Sequence, residues 1–486
     1  MCGILYLHDP ARQLSGRDMA TLTFLGLTAQ QHRGQHGGGY AYSDGSNVWT
    51  GKFFGPMLGQ FDDQGAQEKE SRPFKGELLT LERRSPFRVV GHLRYATAGP
   101  DTDLRHFQPQ YIETLGGRVA YAANGDIPLL GAEKERLMRN GVEFYTENDA
   151  ELTLRKICYI KETKGVSWVE AIHTFMQETK GAYSGILMTK DRTFFIRDEL
   201  GFRPFLVGKI DDQIIVAASE SCVLDILDAK FEFEVERGSV VEIDNEGLIT
   251  RHPFPGQLPA HCAHCIFCWA YFAGPHSKVF GDPRRDFEQV PHKSSYAHAF
   301  GRETAREHPV KADCIAPVPQ SGNSAAKGYS AESRIPHVEV LTRNWGVPRT
   351  FILSFGDREI KIRLKFGFLI DAILEYPSIC IVDDSIVRAN TSRHLITWLR
   401  RLGAKEVHFR IAYPPVTHPC FFGIAMPTRE ELAASSRSVD EVRRYIGADS
   451  LAYLSPEGLE KAMQRRGSDI ADYCTACYTG KYPIPV

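Results

Sequence analysis

The sequence predicts a two-domain chain that joins an α+β half to an α/β half. A length of 486 residues is enough for about two to four average domains. In the first half, alternating apolar residues mark strands at 194–196 and 214–217. In the second half, residues 378–402 read as a buried strand, two acids, a short polar loop and a helix. That unit is typical of a doubly wound parallel sheet.

The bulk composition excludes several classes of protein. A net charge of −2 gives no reason to expect binding to nucleic acid or to a membrane surface. No apolar run approaches the roughly 20 residues of a membrane span, and no signal peptide is recognisable, so we expect a cytoplasmic protein. Eleven cysteines is an odd count. Without an export signal, they favour chemistry or metal binding over a disulfide framework.

The second residue is a candidate nucleophile. Cys2 is small enough to permit removal of Met1, which leaves a free α-amine on the residue that carries the thiol. The amine has an unperturbed pKa of about 8 and the thiol one of about 8.5, so one residue can supply base and nucleophile. For a second-position cysteine in isolation, a buried structural role is the more common one.

Four motifs follow Cys2 along the first half. They are Gln-His-Arg-Gly-Gln at 31–35, Gly-His-Leu-Arg-Tyr-Ala-Thr-Ala-Gly at 91–99, Asn-Gly at 124–125 and Asn-Asp-Ala-Glu at 148–151. In this order they resemble the class II glutamine amidotransferase domain. The resemblance implies an N-terminal-nucleophile hydrolase with a four-layer αββα fold.

The same resemblance implies a role for individual residues. Cys2 would attack the side-chain amide of glutamine, while Asn124 and Gly125 would hold the oxyanion. Arg94 would bind the carboxylate of the substrate and Asp149 its amine. These roles suit the chemistry, since an Arg fork matches a carboxylate and each oxyanion donor lowers the barrier by about 2.7 to 4 kcal/mol. The chain departs from the family at Asp126, where Asn is usual.

Four cysteines of the second half are candidate metal ligands. They are Cys265, Cys420, Cys474 and Cys477. A Cys-x-x-Cys pair with two distant single cysteines suits four-thiolate binding of zinc or of an iron–sulfur cluster, and spacing does not separate these from four unliganded cysteines. Cys262 and Cys268 each form a further Cys-x-x-Cys with Cys265, so either is an alternative ligand.

The unit at 378–393 has the properties of a phosphate site. A loop that runs into a helix N-terminus offers backbone N–H groups, hydroxyls and the positive end of the helix dipole to a phosphate. Asp383 and Asp384, at the end of the strand, can accept hydrogen bonds from the hydroxyls of an attached ribose. An ordinary strand and helix with capping side chains is the alternative.

The second half resembles glutamine phosphoribosyl pyrophosphate (PRPP) amidotransferases. Residues 381–388 fit their PRPP loop, 316–322 their pyrophosphate loop, and 349–365, with Arg349, Arg358 and Arg363, their flexible lid. The resemblance implies a type I phosphoribosyltransferase domain. The chain departs from the family where Gln320 replaces Asp, Ala389 replaces Gly and Asn390 replaces Thr. It also has Phe-Gly-Phe at 366–368, where Leu-Asn-Pro is expected. A change from Gly to Ala is mild where φ is negative, but it narrows the approach of backbone to phosphate.

This second resemblance also implies ligand sets. For PRPP they are Ser321, Gly322, Lys365, Asp383, Asp384, Ser385, Arg388, Ala389, Asn390, Thr391 and Ser392, with Mg²⁺ on Ser321, Asp383 and Asp384. One branch of the family carries a [4Fe–4S] cluster, which implies Cys265, Cys420, Cys474 and Cys477 as its ligands. Alignment with the family favours Cys265 over Cys262 and Cys268.

We therefore expect a glutamine amidotransferase domain at 2–240, a phosphoribosyltransferase domain at 260–455, and a helix with a cysteine-bearing tail at 456–486. The implied reaction converts glutamine, PRPP and water to 5-phosphoribosylamine, glutamate and pyrophosphate, the first step of purine synthesis. Two alternatives are a paralogue that delivers ammonia to another acceptor and a non-catalytic regulatory homologue. Relatives are often homo-oligomers, so we expect a dimer or tetramer.

Overall fold

The computed structural model describes residues 1–61, 74–95, 102–281, 286–344, 364–426 and 428–486. The strands of the first half are β1 Gly3–His8, β2 Gly37–Ser43, β3 Val48–Phe54, β4 Arg88–Arg94, β5 Gln110–Thr114, β6 Gly117–Asp126, β7 Ala182–Met188, β8 Arg192–Arg197, β9 Leu206–Ile210, β10 Ile214–Ala218, β11 Lys230–Glu234, β12 Val240–Asp244 and β13 Ile249–His252. The helices there are α1 Gly16–Ala29, α2 Gly76–Arg84, α3 Leu130–Arg139, α4 Asp149–Lys164, α5 Trp168–Glu178 and α6 Ser221–Ile226.

The first half stacks two antiparallel sheets between layers of helices. The strand orders are β11-β9-β10-β1-β4-β2-β3 and β13-β12-β8-β7-β6-β5. Side chains such as Tyr6 of β1 and Ile186 of β7 fill the space between the sheets. The outer face of the first sheet packs against α1 and α6, and that of the second against α4 and α5. A strand of small and apolar residues such as β1 is buried along its whole length, which suits an inner layer.

The second half is built on a parallel sheet. The strands of the second half, four of which form this sheet, are β14 His264–Cys265, β15 Cys314–Pro317, β16 Leu341–Arg343, β17 Phe366–Phe368, β18 Ser378–Asp383, β19 Glu406–Ile411, β20 Ser450–Tyr453 and β21 Tyr473–Cys474. Its helices are α7 Lys293–Glu307, α8 Asn323–Ser333, α9 Ile370–Glu375, α10 Asn390–Arg401, α11 Val439–Ile446, α12 Pro456–Arg465 and α13 Ala476–Thr479.

The order of the parallel sheet places the predicted phosphate unit at its centre. Strands run β15-β18-β19-β20, and β18 pairs with parallel neighbours on both sides. Four consecutive residues of β18 are buried, because a central strand is covered on both faces. Asp383 ends this strand and α10 begins a few residues later, so the acidic pair and the helix N-terminus meet at the carboxyl edge of the sheet.

Two further observations bear on the organisation of the chain. The six-stranded sheet continues through the hairpin of β12 and β13 to His252, beyond the expected boundary at 240; the boundaries themselves stay a prediction. Among the described residues, no helix is long and apolar enough to cross a membrane.

Candidate active sites

The predicted nucleophile lies beside β4. Cys2 precedes β1, and the pairing of Gly3 with Leu93 brings Cys2 next to Arg94 and Tyr95. The Cys2 thiol donates a hydrogen bond to the Tyr95 carbonyl at 3.8 Å, and the residue is 8% exposed. Burial raises the pKa of the Cys2 thiol, and the nearby N-terminal amine opposes this rise. A thiol with a raised pKa needs a base beside it to become a nucleophile.

The two predicted oxyanion residues lie near the end of β6. Asn124 is fully buried, and neither its Oδ1 nor its Nδ2 has a hydrogen-bond partner among the described residues. Its amide is therefore available to a ligand. Gly125 has a φ of +150°, and a Cβ at this position would lie 1.8 Å from the Ala182 carbonyl oxygen. Only glycine fits this close approach to β7.

One carbonyl joins the two predicted glutamine-binding residues. Arg94 is buried, donates to the carbonyl of His106 and lies 4.8 Å from the centre of the Phe107 ring. Asn148 donates to the same carbonyl at 2.7 Å and caps α4 by accepting from the N–H of Ala150. The cap fixes Asp149 as the first residue of α4. Arg94 and the start of α4 are therefore held against each other.

The predicted amine ligand is electrostatically unusual. Burial raises the pKa of Asp149 to about 8, and the neighbouring carboxylate of Asp126 adds to this rise. Burial also raises the pKa of Asp126 to about 6. A second carboxyl group therefore lies beside Asp149. The charges of Arg94 and Asp149 both act on the Cys2 thiol, so the structure brings these three predicted residues together.

The predicted PRPP residues line a single cleft of about 510 Å³. Members of the predicted set in its wall are Ser321, Lys365, Asp383, Asp384, Ser385, Arg388, Ala389, Asn390, Thr391 and Ser392. The volume is in the range of small-molecule sites. Gly322 is the exception: it packs behind the wall, where an added Cβ would lie 2.6 Å from the Val382 carbonyl oxygen.

The acidic pair lies where β18 ends. The N–H of Asp384 donates to Oδ1 of Asp383 at 2.9 Å, and the Ser385 hydroxyl donates to Oδ1 of Asp384 at 2.6 Å. Oδ2 of Asp384 is buried and has no hydrogen-bond partner within the described ranges. Burial raises the pKa of Asp383 well above its usual range, and Asp384 adds to this. Such a pair favours a cation or a hydrogen-bond donor between the carboxyl groups.

The loop after the acidic pair differs from a relaxed phosphate loop. Ala389 has a φ of +60°, in the left-handed region that costs a non-glycine residue about 1–2 kcal/mol. The condition for a mild change from Gly to Ala, a negative φ, is therefore not met. Arg388 binds Glu431 through Nε at 2.7 Å, and Asn390 accepts a hydrogen bond from the Tyr445 hydroxyl at 3.1 Å. Both side chains already have protein partners.

Part of the predicted lid cannot be placed. Arg349, Arg358 and Arg363 lie in 345–363, outside the described residues, and residues 96–99 of the amidotransferase motif are also outside. Lys365 is described, and its Nζ lies 4.8 Å from the centre of the Phe366 ring.

The four predicted cysteine ligands surround one apolar cavity. Cys265, Cys420, Cys474 and Cys477 all line it, and none forms a disulfide. The parallel pairing of β14 and β21 sets Cys265 opposite Cys474. The two alternative ligands, Cys262 and Cys268, are not in this wall. No three His, Cys, Asp or Glu side chains within the described ranges are close enough to hold one metal ion.

Comparison with known proteins decides the family. Residues 93–225 match a family model described as a glutamine amidotransferase domain. An amidophosphoribosyltransferase from Methanocaldococcus jannaschii is 36% identical over 500 residues, which cover 100% of this chain and 98% of that protein. The chain belongs to the amidophosphoribosyltransferase family. A member from Synechococcus elongatus is also 36% identical, over 100% of this chain and 92% of its own length.

Solved structures of amidophosphoribosyltransferase type agree with this assignment. One, a glutamine PRPP amidotransferase from B. subtilis complexed with ADP and GMP, has a TM-score of 0.82 and 34% identity over 99% of this chain and 97% of its own. Another, an allosteric regulatory enzyme of purine biosynthesis, has a TM-score of 0.84 and 34% identity over 100% and 97%. The expected fold, a four-layer glutaminase followed by a phosphoribosyltransferase sheet, is confirmed.

Contacts between the two halves of this amidophosphoribosyltransferase were not predicted. Glu220 is fully buried and forms ion pairs within the first half with His32 at 3.0 Å and Arg33 at 2.7 Å. It also accepts a hydrogen bond from the N–H of Gly274, in the second half, at 2.9 Å. Burial raises the pKa of Glu220, but His32 and Arg33 outweigh it and hold the pKa well below its usual range. Lys293, at the start of α7, is buried near Glu220 and the acidic pair.

Arg203 is a further residue that no motif in the sequence singled out. Its side chain is fully buried, donates to the carbonyl of Phe422 and contacts the cysteine cavity. Hydrogen bonding by Cys268, with Arg203 nearby, lowers the pKa of the Cys265 thiol to about 5. A buried guanidinium beside four thiols offsets the charge of thiolates. The only signal in the sequence was an Arg side chain in a stretch whose other residues suit a buried core.

Proposed function

We propose that this chain is a glutamine-dependent amidophosphoribosyltransferase that makes 5-phosphoribosylamine, glutamate and pyrophosphate from glutamine, PRPP and water. One observation carries the proposal. Tyr95 lines the cleft that contains the acidic pair, and its carbonyl accepts the hydrogen bond of the Cys2 thiol. Tyr95 therefore contacts both sites, which suits a small intermediate that passes between them.

The first half-reaction would take place at Cys2. After removal of Met1, the α-amine accepts the thiol proton and Cys2 Sγ attacks the amide carbon of glutamine. The Asn124 amide and the N–H of Gly125 stabilise the negative oxygen of the tetrahedral intermediate. Collapse of this intermediate breaks the C–N bond, and the amine returns the proton so that ammonia leaves. Water then hydrolyses the thioester to glutamate and regenerates the thiol.

The second half-reaction would take place in the cleft. Ammonia attacks the anomeric carbon of PRPP, the bond to pyrophosphate breaks, and the nitrogen releases a proton. Aromatic and apolar side chains such as Tyr95, Phe267 and Ile424 form the wall on the side of the glutaminase site. Such a wall limits the entry of water, which would otherwise compete with ammonia for the reactive carbon.

Mg²⁺ would be bound together with PRPP. The residues fit, because Asp383 and Asp384 present carboxyl oxygens to the cleft and Oδ2 of Asp384 is available. Mg²⁺ is usually held by one or two carboxylates plus phosphate oxygens of a substrate, with water completing the octahedron. The Ser321 hydroxyl lies in the same wall. When bound, the ion supplies charge neutralisation to the pyrophosphate leaving group.

We further propose that the cysteine cavity binds a [4Fe–4S] cluster. Four thiols around a common cavity fit a cluster better than a single zinc ion, because each thiolate of a cluster binds a different iron. The guanidinium of Arg203 lies beside them. When bound, the cluster supplies a cross-link between β14, the loop around Cys420 and the C-terminal tail. Anaerobic reconstitution with iron and sulfide, followed by iron analysis and visible absorption, tests this directly.

The function is tested by measuring two products together. The reconstituted protein is incubated with glutamine and Mg²⁺, with and without PRPP, and glutamate and pyrophosphate are quantified. We expect equal release of both, dependent on PRPP. Glutamate without pyrophosphate would favour the paralogue with a different acceptor. Release of neither would favour the non-catalytic homologue. We also expect a homo-oligomer, which size-exclusion chromatography with light scattering measures.

A further inference from the structure

A loop of the second half packs against β6 of the first half, at the predicted oxyanion residue Gly125. We call residues 419–426 the bridging loop. We infer that the bridging loop positions the oxyanion hole, and that Gly423 is the positioning residue. This inference rests on the proposed function and extends it, because it assigns a residue of the transferase half to glutamine hydrolysis.

The contact between the two glycines is close. A Cβ on Gly423 would lie 2.8 Å from the carbonyl oxygen of Gly125 and 2.9 Å from its carbonyl carbon. On the other side, a Cβ on Gly125 would lie 1.8 Å from the Ala182 carbonyl oxygen of β7. The backbone of Gly125 is thus held between a strand of its own sheet and the bridging loop. Because β7 is fixed within the sheet, the bridging loop decides the remaining freedom of Gly125.

The bridging loop is anchored to the first half beside Gly423 and is closed by a bond of its own. Arg203 donates to the carbonyl of Phe422, and the Phe202 and Phe422 rings lie 4.5 Å apart. Within the loop, the N–H of Cys420 donates to the Met426 carbonyl at 2.9 Å, which joins the segments before and after Gly423. Met426 and its neighbours line the PRPP cleft, while Cys420 lines the cysteine cavity. The loop therefore contacts three sites at once.

This placement separates catalysis from binding. Arg94 and the helix that carries Asp149 are held through the His106 carbonyl, independently of the bridging loop. The oxyanion forms only during reaction, so its donors stabilise the transition state more than bound glutamine. A shift of Gly125 should therefore lower kcat for glutamine hydrolysis without changing the affinity for glutamine.

The test compares two glycine substitutions with similar backbone strain. Gly423 has a φ of +98° and Gly141 one of +86°, but a Cβ on Gly141 would meet nothing within 4 Å. Gly423→Ala should lower kcat for glutamine hydrolysis about 10²-fold or more, as expected for a displaced oxyanion donor. Gly141→Ala should leave kcat unchanged. Glutamine affinity, measured as protection of Cys2 from iodoacetamide, should be unchanged in both variants.

A second variant tests the loop without adding a Cβ beside Gly125. Arg203→Lys weakens the donor to the Phe422 carbonyl and should also lower kcat while glutamine still protects Cys2. Wild-type kcat in both Gly423→Ala and Arg203→Lys would overturn the inference, as would parallel loss of kcat and protection. Absence of glutamine hydrolysis in the wild-type protein would instead overturn the proposed function on which the inference rests.

Discussion

The glutaminase site and the PRPP cleft hold their predicted residues in different ways. In the first site, Asn124 is fully buried and the backbone of Gly125 is packed between those of Ala182 and Gly423. Asn124 and Gly125 both lie on β6, which has a neighbouring strand on each side. In the second, a left-handed Ala389 lies next to Arg388, whose side chain is 49% exposed and bound to Glu431. Side chains fixed by a sheet keep their geometry without substrate, whereas an exposed loop changes geometry at low cost. The comparison assigns preorganised chemistry to the first site and adaptable recognition to the second.

Removal of the nucleophile tests whether the two regions divide the labour. Cys2→Ala should lower glutamine-dependent synthesis by about 10⁴-fold or more, because no other group replaces the thiol. Synthesis from added ammonium should stay near the wild-type rate, since ammonia then enters without the first site. Both rates are measured by pyrophosphate release. Equal loss of the two activities would contradict separate sites.

Glu220→Gln tests the buried ion pairs of Glu220 with His32 and Arg33, which also contact the second half through Gly274. At pH 7 the change should lower the free energy of unfolding by about 3–5 kcal/mol, because Arg33 and His32 lose a buried partner. The folded pKa of Glu220 is below its ordinary value of 4.5, so its contribution is complete above that pH and declines as the pH falls further.

Urea unfolding at pH 7 and at low pH measures this loss. The destabilisation by Glu220→Gln should shrink at low pH. Glu236→Gln is the control, since Glu236 is 71% exposed and its ion pair with Arg251 is long, at 4.0 Å. An equal effect of the two substitutions would contradict the assignment.

Asp384→Asn tests the PRPP cleft alone. Loss of one buried carboxylate that faces the cleft should lower PRPP turnover about 10²-fold, equivalent to about 3 kcal/mol, with either glutamine or ammonium as nitrogen source. Pyrophosphate release under both conditions gives the answer. Asp371→Asn, an exposed acid on α9, should have no effect. A loss confined to glutamine-dependent turnover would show that Asp384 acts in the glutaminase site and not in the PRPP cleft.

Asp126→Asn sharpens the account of the glutaminase site. Burial and the neighbouring carboxylate of Asp126 together raise the pKa of Asp149 to about 8. Without this second carboxylate, the pKa of Asp149 falls, more of it is ionised at pH 7, and the KM for glutamine decreases there. The pH profile of kcat/KM for glutamine hydrolysis should keep its plateau to lower pH. Superimposable profiles of the two proteins would show that Asp126 does not act on glutamine binding.

Ala389→Gly tests the strained position in the PRPP loop and has the smallest expected effect. A left-handed φ costs alanine about 1–2 kcal/mol, so glycine relieves this strain. The greater conformational freedom of glycine in the unfolded state offsets about 0.5–1 kcal/mol of that gain. We expect a net stabilisation of about 0.5–1 kcal/mol and a lower KM for PRPP. Ala404→Gly is the control, because Ala404 is equally buried and its φ is not positive. That variant should be less stable than the wild type.

The sequence was sufficient where a short stretch contains its own physical explanation. The strand, acidic pair and helix of 378–402 follow from an apolar run, two acids and helical spacing, and all form as expected. The family resemblance implied that Cys2 and Arg94 share a site, and the adjacent strands β1 and β4 bring them together. Both cases depend on local pattern or on a motif that determines the fold.

Contacts between distant segments were beyond the reach of the sequence. Nothing in Gln-His-Arg-Gly-Gln shows that His32 meets Glu220, which is 188 residues away. The approach of Gly423 to Gly125 depends on how the two halves dock, and the φ of Ala389 depends on the turn into α10. The sequence did not single out Arg203, because the Phe422 carbonyl and the cysteines near it come from the other half.

The central claim is that the PRPP cleft of this chain performs the family reaction. It is tested most directly by incubating the wild-type protein with PRPP, Mg²⁺ and ammonium, without glutamine, and measuring pyrophosphate release. This assay bypasses Cys2 and depends on the cleft alone. We predict saturable release of one pyrophosphate for each PRPP consumed, lost in Asp384→Asn. No release by a protein that still hydrolyses glutamine would contradict the account and assign its ammonia to a different acceptor.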